Sequence, residues 1–361
     1  MRWIDPNTRA ALTGSRSADT LLVWAWYDGQ LLYPDPLPVT SWSFSWDEGR
    51  QIQTLNISMA DTEADRMPWL LEDPLGVAGT RLQCIYQVGG AGSVSMGEYR
   101  VTQAEPEEKW RSYVINHKGF VEPDSAIPAG KRQVMVSGGA SLDLSSEDLA
   151  VEASMADLLA PESPKGGSPT ILSEIARLMD GIAPVVSVTG VVDRAVNKTL
   201  IYEVDRLNAV QDLAKRIGCN YRMNGDGQIE IYPLEQHGEI RILRGGDDGM
   251  LVDVQRGQKL EGLHNMFIAD GTATVRGQEV PIRGIATIES GPLRVGGPHG
   301  ARPYPFKYES TMLTSQSQCD DYAIKMRDTQ LAGLTQDLQV TCLPDPSVQC
   351  GDWVQVAAYM V

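Results

Sequence analysis

Cysteine, histidine and clustered positive charge are all scarce in this sequence. The five cysteines (Cys84, Cys219, Cys319, Cys342 and Cys350) are odd in number, far apart and without a CxxC pair. That spacing excludes a disulfide framework and a zinc ribbon, and predicts buried reduced thiols in a protein made in the cytoplasm. The four histidines (His117, His237, His264 and His299) show neither HxH nor HxxxH spacing and sit near glycines. Neither a GxSxG nucleophile elbow nor a phosphate-binding GxxxxGK[ST] loop is present. The 47 acidic against 31 basic residues give a net charge of −16, and no third of the chain is net positive. Nucleic-acid and anionic-membrane binding both need clustered Lys and Arg, so neither is expected. Long apolar runs are missing too: the segment Leu21 to Tyr27 falls far short of the roughly 20 residues that span a bilayer. Met1-Arg2-Trp3-Ile4-Asp5-Pro6 lacks the apolar stretch of a signal peptide.

Tryptophan, by contrast, is concentrated, with six of eight residues within the first 69. Trp42, Phe44 and Trp46 alternate with serines, which puts three aromatics on one face of a strand. Such a face is core or subunit interface, or else a platform for stacking on sugars. Around it, Thr20–Tyr27, an Asp28-Gly29 turn and Gln30–Tyr33 read as a hairpin, and further strands are expected at 52–59, 81–88, 98–102 and 110–116.

A short pattern occurs twice: Asp73-Pro74-Leu75-Gly76-Val77-Ala78-Gly79 and Asp345-Pro346-Ser347-Val348-Gln349-Cys350-Gly351, followed in the second case by Asp352. Each copy leads into an alternating stretch. Proline presets φ and glycine supplies a turn conformation, so both copies read as loops feeding a strand. Asp73, Pro74, Gly79, Asp345, Pro346, Gly351 and Asp352 are accordingly the candidate structural residues, and the segments from Arg81 and from Trp353 are expected to be equivalent strands.

The middle of the chain is helical. Ser145-Ser146-Glu147-Asp148 predicts a helix start running to Leu159. A loop rich in Pro and Gly follows from Pro161, then a helix from Thr170 to Asp180. A third helix has Asp205 as N-cap, a stripe of Leu207, Val210, Leu213, Ala214 and Ile217, and a stop at Gly218. It runs into a hairpin over Cys219–Tyr232 turned by Asn224-Gly225-Asp226-Gly227. Strands are then expected at 240–243, 250–255, 265–269, 272–276, 279–282 and 285–288. A helix capped by Ser315 and Gln318 comes next, and then a last strand.

Catalytic patterns are weak. Gly89-Gly90-Ala91-Gly92 is followed by another strand and not by a helix, so it predicts a hairpin loop. Asn224, Asp226 and Gln228 lack the glycine and distal Glu of a calcium loop. The adjacent carboxylates Asp247-Asp248 and Asp320-Asp321 are read as solvated charge. No catalytic, cofactor-binding or metal-binding residue is assigned, and no cofactor.

The helix ending Leu213-Ala214-Lys215-Arg216-Ile217-Gly218, the Asp226-Gly227 hairpin, the strand Asn265-Met266-Phe267-Ile268-Ala269-Asp270-Gly271 and the closing Pro346 to Gly351-Asp352-Trp353-Val354-Gln355-Val356 occur in succession. That succession resembles the minor tail proteins of the siphophage baseplate hub, or tail-associated hub, family. The resemblance implies an α+β, mainly β fold: two tube-like antiparallel β-barrels flanking an inserted α/β region. The expected divisions are 1–118 (first barrel), 119–238 (α/β insert) and 239–361 (second barrel with one helix), with strands exchanged across boundaries. It further implies a non-enzymatic homotrimer in the virion tail tip that adapts a sixfold tube to a threefold tip. Its implied partners are the distal tail protein ring, the tape measure protein and other minor tail proteins, with DNA passing through the lumen unbound. With Val361 directly after the last strand, no cell-wall or receptor-binding extension is expected. The alternative from the tryptophans is a carbohydrate-binding or adhesin module.

Overall fold

The computed structural model describes residues 1–13, 18–47, 50–61, 66–116, 119–121, 132–167, 169–197, 199–234, 238–246, 249–257, 262–275, 278–310, 313–332 and 337–357. His117, His237, Asp247-Asp248 and the chain from 358 onward lie outside the described residues. Two compact units are present: Met1–Met250 with Leu343–Val361, and Leu251–Cys342.

The first unit opens with α1 (Pro6–Thr13), begun by Asp5 as cap with Pro6 in the first turn. Then come β1 (Thr20–Tyr27), β2 (Gln30–Leu31), β3 (Val39–Asp47), β4 (Ile52–Asp61), β5 (Arg81–Gln87), β6 (Ser93–Asn116), β7 (Gly119–Val121) and β8 (Arg132–Asp148). They form one antiparallel sheet in the order β2-β1-β5-β6-β8-β4-β3, with β7 added to β6. The strand path is open. Backbone bonds from Leu32 to Ala25 and from Leu37 to Val23 nevertheless carry the segment before β3 alongside β1. Alternation decides the faces: Leu21, Val23 and Ala25 of β1, Leu82, Cys84 and Tyr86 of β5, and Leu55, Ile57 and Met59 of β4 enter one core.

Two expectations fail here. Positions 98–102 and 110–116 belong to a single strand of 24 residues, which accommodates its length by register shifts at Val101/Gln103 and Glu108/Trp110. Ser145–Asp148 is the end of β8, not the start of a helix. Helix α2 (Ala150–Met155) begins only where the buried Asp148 carboxylate accepts the Ala150 and Gln53 N–H groups. Burial pushes that carboxyl up to about 7 against the two donors.

A second core gathers α2, α3 (Ile171–Leu178), β9 (Val185–Ser187), α4 (Arg206–Arg216), β10 (Cys219–Met223) and β11 (Ile229–Pro233). Thr170 and Ser173 close a capping box on α3, and Asp205 caps α4 through the Asn208 N–H at 2.8 Å. β10 and β11 form the expected hairpin, and β9 joins β11 in parallel. The Asn224 side chain accepts the Asp226 and Gln228 N–H groups, making the segment a hairpin turn. This turn sits on the large sheet, where the Ser95 hydroxyl donates to the Gly225 carbonyl. The last strand of the unit before the chain leaves it is β12 (Arg241–Arg244).

In the second unit, β13 (Leu251–Gly257) and a later strand form one antiparallel ribbon. β14 (Met266–Val275), β15 (Gln278–Thr287) and β16 (Pro305–Glu309) form a sheet ordered β15-β14-β16. Where four short strands were expected, β14 and β15 run unbroken through Gly271 and Gly284. Gly284 is there for helix α5 (Gln316–Ala332) and Gly271 for Leu313 just ahead of it, not for a break. A Cβ at Gly284 would lie 2.2 Å from the Cys319 backbone. The ribbon partner of β13 is β17 (Asp337–Cys342), while β18 (Val354–Ala357) returns to the first unit and pairs in parallel with β12.

Candidate assembly site

The two Asp-Pro loops share their turn chemistry. In each, the Asp carbonyl accepts an N–H three residues on, Gly76 to Asp73 at 2.8 Å and Val348 to Asp345 at 3.2 Å. Each ends on a left-handed glycine, Gly79 at φ +105° and Gly351 at φ +83°. Their carboxylates point differently. Asp73 reaches back to accept the Trp69 and Leu70 N–H groups, both at 2.8 Å, whereas Asp345 reaches forward to the Ser347 N–H and hydroxyl and accepts from Arg241 at 2.9 Å. The strands differ as well: β5 is antiparallel between β1 and β6, and β18 is parallel to β12.

The second loop is the more heavily tied. Asp352 Oδ1 accepts from Arg222 Nη1 at 2.8 Å and from the Met1 amino group at 2.6 Å, while Oδ2 accepts the Gln349 N–H at 2.8 Å. Arg222 also donates to the Cys350 carbonyl at 2.9 Å and to Glu230 at 2.6 Å, with its guanidinium 4.8 Å over the Tyr232 ring. Arg2 adds a bond to the Pro346 carbonyl, and its backbone N–H donates to Ser347. The side chains of Arg222 and Asp352 are only 2% and 3% exposed. Burial alone would discharge both. The charges and hydrogen bonds of Asp352 and Glu230 together outweigh it and raise the Arg222 pKa, and Arg222 with the Met1 amino group holds the Asp352 carboxyl below its ordinary value. The loop thereby fastens the N-terminal segment and the β10–β11 hairpin to the start of β18. Gly351 is required twice over: its φ is left-handed, and a Cβ there would meet the Tyr232 ring at 2.4 Å.

This arrangement is mechanical. The charges of Asp352, Arg222, Glu230 and Met1 are committed to one another, and the Ser347 hydroxyl beside Asp345 is held within the turn by that carboxylate. Among the described residues, no group of three or more His, Cys, Asp or Glu is placed to hold a metal. His264 packs on Phe306 and His299 on Tyr304, and Asp320 accepts from Gln316. Gly89–Gly92 is the β5–β6 hairpin loop. Among the described residues no helix is long and apolar enough to cross a membrane.

The tryptophans divide. Trp42 packs on the sheet core, whereas Trp24 and Trp26 lie half-buried on the face of β1 away from it. Trp26 lines an outer groove of about 860 Å³ with Tyr27, Gly79, Arg81, Glu98 and Arg100. Glu152 holds Arg81 and Arg100 there, at 2.9 and 3.3 Å. Sequence reading chose Asp345 and Asp352 but missed Arg222, Arg2 and Glu152. An isolated arginine in a strand-like run carries no pattern, and the loop groups that Arg222 binds, Cys350 and Asp352, are 128 and 130 residues away.

The class defined by these features is an α+β, mainly β protein with an open antiparallel sheet, a docked helix-plus-hairpin module and a second sheet covered by one helix. That fold is shared with two solved tail proteins. The tail protein from Neisseria meningitidis MC58 aligns with a TM-score of 0.56 and 12% identity over 93% of this chain and 86% of its own. The 43 kDa tail protein of prophage MuSo2 from Shewanella oneidensis aligns with a TM-score of 0.52 and 10% identity over 94% and 89%. No protein-family model matches the sequence. No curated protein matches it either.

Proposed function

We propose that this chain is a structural component of a bacteriophage tail tip, a baseplate hub built as a homotrimer. The observation that carries the reading is agreement of fold with two tail proteins, one of them from a prophage, along more than nine-tenths of the chain. The succession of motifs from Leu213 to Val356 narrows it to the hub. On this reading the two β regions act as tube-like barrels, so that three copies present six similar modules to a sixfold tube and three to the tip. The corresponding divisions are 1–118, 119–238 and 239–361. Asp73, Pro74 and Gly79 in one barrel and Asp345, Pro346, Gly351 and Asp352 in the other start equivalent strands. Their shared turn bonds and left-handed glycines support this equivalence, and superposition of β5 on β18 tests it. The ring would gate the lumen, opening for the tape measure protein and DNA, and with a net charge of −16 per copy, acidic groups facing inward would keep the passage unsticky for DNA. Its neighbours would be the distal tail ring, the tape measure protein and other tip proteins, in the virion. No enzymatic step is part of this role.

The sugar-binding alternative draws on Trp26 and Tyr27 in the outer groove, but of the four strand tryptophans it gathers one. Co-assembly tests the main reading. Purified chain mixed with the neighbouring ring protein of the same tail should form a complex of fixed stoichiometry in multiples of three. Failure to bind any ring or tip protein of that tail, together with hydrolysis of purified peptidoglycan by the chain, would overturn it.

A further inference from the structure

The segment leading into the first Asp-Pro loop carries three large apolar side chains that the fold leaves exposed. Trp69, Leu70 and Leu71 are 63%, 60% and 67% exposed in succession. Consecutive large apolar residues in water are a solubility cost that marks a contact surface. The backbone beneath them is fixed. Asp73 accepts the Trp69 and Leu70 N–H groups, the Leu71 carbonyl accepts from Ala78, and Met67 and Leu75 on either side are sunk in the sheet core. A knob ordered before it binds loses little entropy on docking.

The same unit offers a surface of matching chemistry. A groove of about 370 Å³ runs along β12, with Ile240, Ile242 and Met250 as its apolar lining and Arg244 at its rim. Ile240 and Ile242 are 37% and 41% exposed, and Trp353, 47% exposed, lies beside Ile240. β12 and β18 make only a two-stranded parallel sheet, an arrangement that is normally covered on both faces. The charges also match. Glu72 follows the knob and Arg244 borders the groove, and neither is ion-paired among the described residues.

We propose that Trp69-Leu70-Leu71 of one copy inserts into the β12 groove of a second copy, with Glu72 facing Arg244. The contact is heterologous, since knob and groove are different surfaces, so repetition of it builds a ring or a filament and not an isolated twofold dimer. The proposal rests on the assembly reading above for its requirement that copies meet.

The test mixes two full-length variants, Leu70→Cys and Ile242→Cys, under mild oxidation, with peptide mapping of the linked product. A disulfide between the two introduced positions, formed in the mixture and absent from either variant alone, is the expected result. Sedimentation supplies a second readout. Trp69→Ser with Leu71→Ser should weaken self-association by about tenfold or more while leaving the thermal melt unchanged. Glu72→Arg and Arg244→Glu should each weaken it, and the two swapped together should restore it. Association that persists with no cross-link and no effect of the knob variant would overturn the knob-and-groove contact while leaving ring assembly standing. A chain that stays monomeric at every concentration and with its neighbouring ring protein would overturn both.

Discussion

Asp352→Ala isolates the buried pair that fastens the second Asp-Pro loop. The substitution removes the acceptor of Arg222 at 2.8 Å, of the Met1 amino group at 2.6 Å and of the Gln349 N–H at 2.8 Å. With Arg222 only 2% exposed, its charge cannot turn to water. Breaking a buried pair from one side costs about 3–5 kcal/mol, because the remaining charge is stranded. Glu230 still accepts from Arg222 at 2.6 Å and the Cys350 carbonyl at 2.9 Å, which sets the expectation at the lower end, about 3 kcal/mol. For a domain of this size each kcal/mol shifts the melting temperature by roughly 2–4 °C, so calorimetry should find a fall of about 6–12 °C. Arg222→Met alone should also destabilise, and the double variant should cost clearly less than the two singles added, since each single strands the other member of the Arg222–Asp352 pair and the double strands neither. The pH sign follows from the pair. Asp352 is held below its ordinary value, so its contribution is present above the ordinary carboxylate range and is lost as pH falls through the lowered value. A loss below about 1 kcal/mol for Asp352→Ala, or strict additivity with Arg222→Met, would refute the reasoning.

Gly351→Ala should destabilise by about 2–4 kcal/mol, combining left-handed strain with overpacking on the Tyr232 ring, and chemical denaturation reads it. Gly284→Ala should lift α5 from β15 and be seen as faster amide exchange in Cys319–Ala323, with the first unit unaffected. Asp148 runs opposite to Asp352. Its folded-state value of about 7 lies above the ordinary one, so its stabilisation is full below about pH 4 and fades as pH rises through 7, by about 4 kcal/mol in all. Asp148→Asn should therefore gain on the wild type between pH 5 and pH 8 in urea titrations, and a constant difference across that range would contradict the assignment.

Elements with local signatures were legible in the sequence. The Asp28-Gly29 turn, the Trp42-Phe44-Trp46 alternation, the Asp205 cap on α4 and the Asn224–Gly227 hairpin all depend on residues within a few positions of one another. Signals failed where tertiary contact overrides local pattern. Ser145–Asp148 has the composition of a helix start, but pairing of β8 with β4 and β6 keeps it extended. Gly271 and Gly284 look like breaks because the residues that need them bare, Leu313 and Cys319, lie more than 30 residues on. Helix α1 was missed although Asp5-Pro6 is a cap and first-turn signal, and β16 was hidden in a proline-rich stretch. In the candidate site, the loops at Asp73 and Asp345 were visible as a repeat. The arginine that locks the second loop was not: its local partner Glu230 reads as an ordinary cross-strand pair, and the loop groups it binds lie 128 and 130 residues on.

The central claim, that this chain is a ring-forming structural protein of a phage tail tip, is tested most directly by mass and image together. Native mass determination with electron microscopy of the purified chain, alone and with its neighbouring tail-ring protein, should give a threefold ring with an axial hole. A single stable monomer in both conditions would contradict the account.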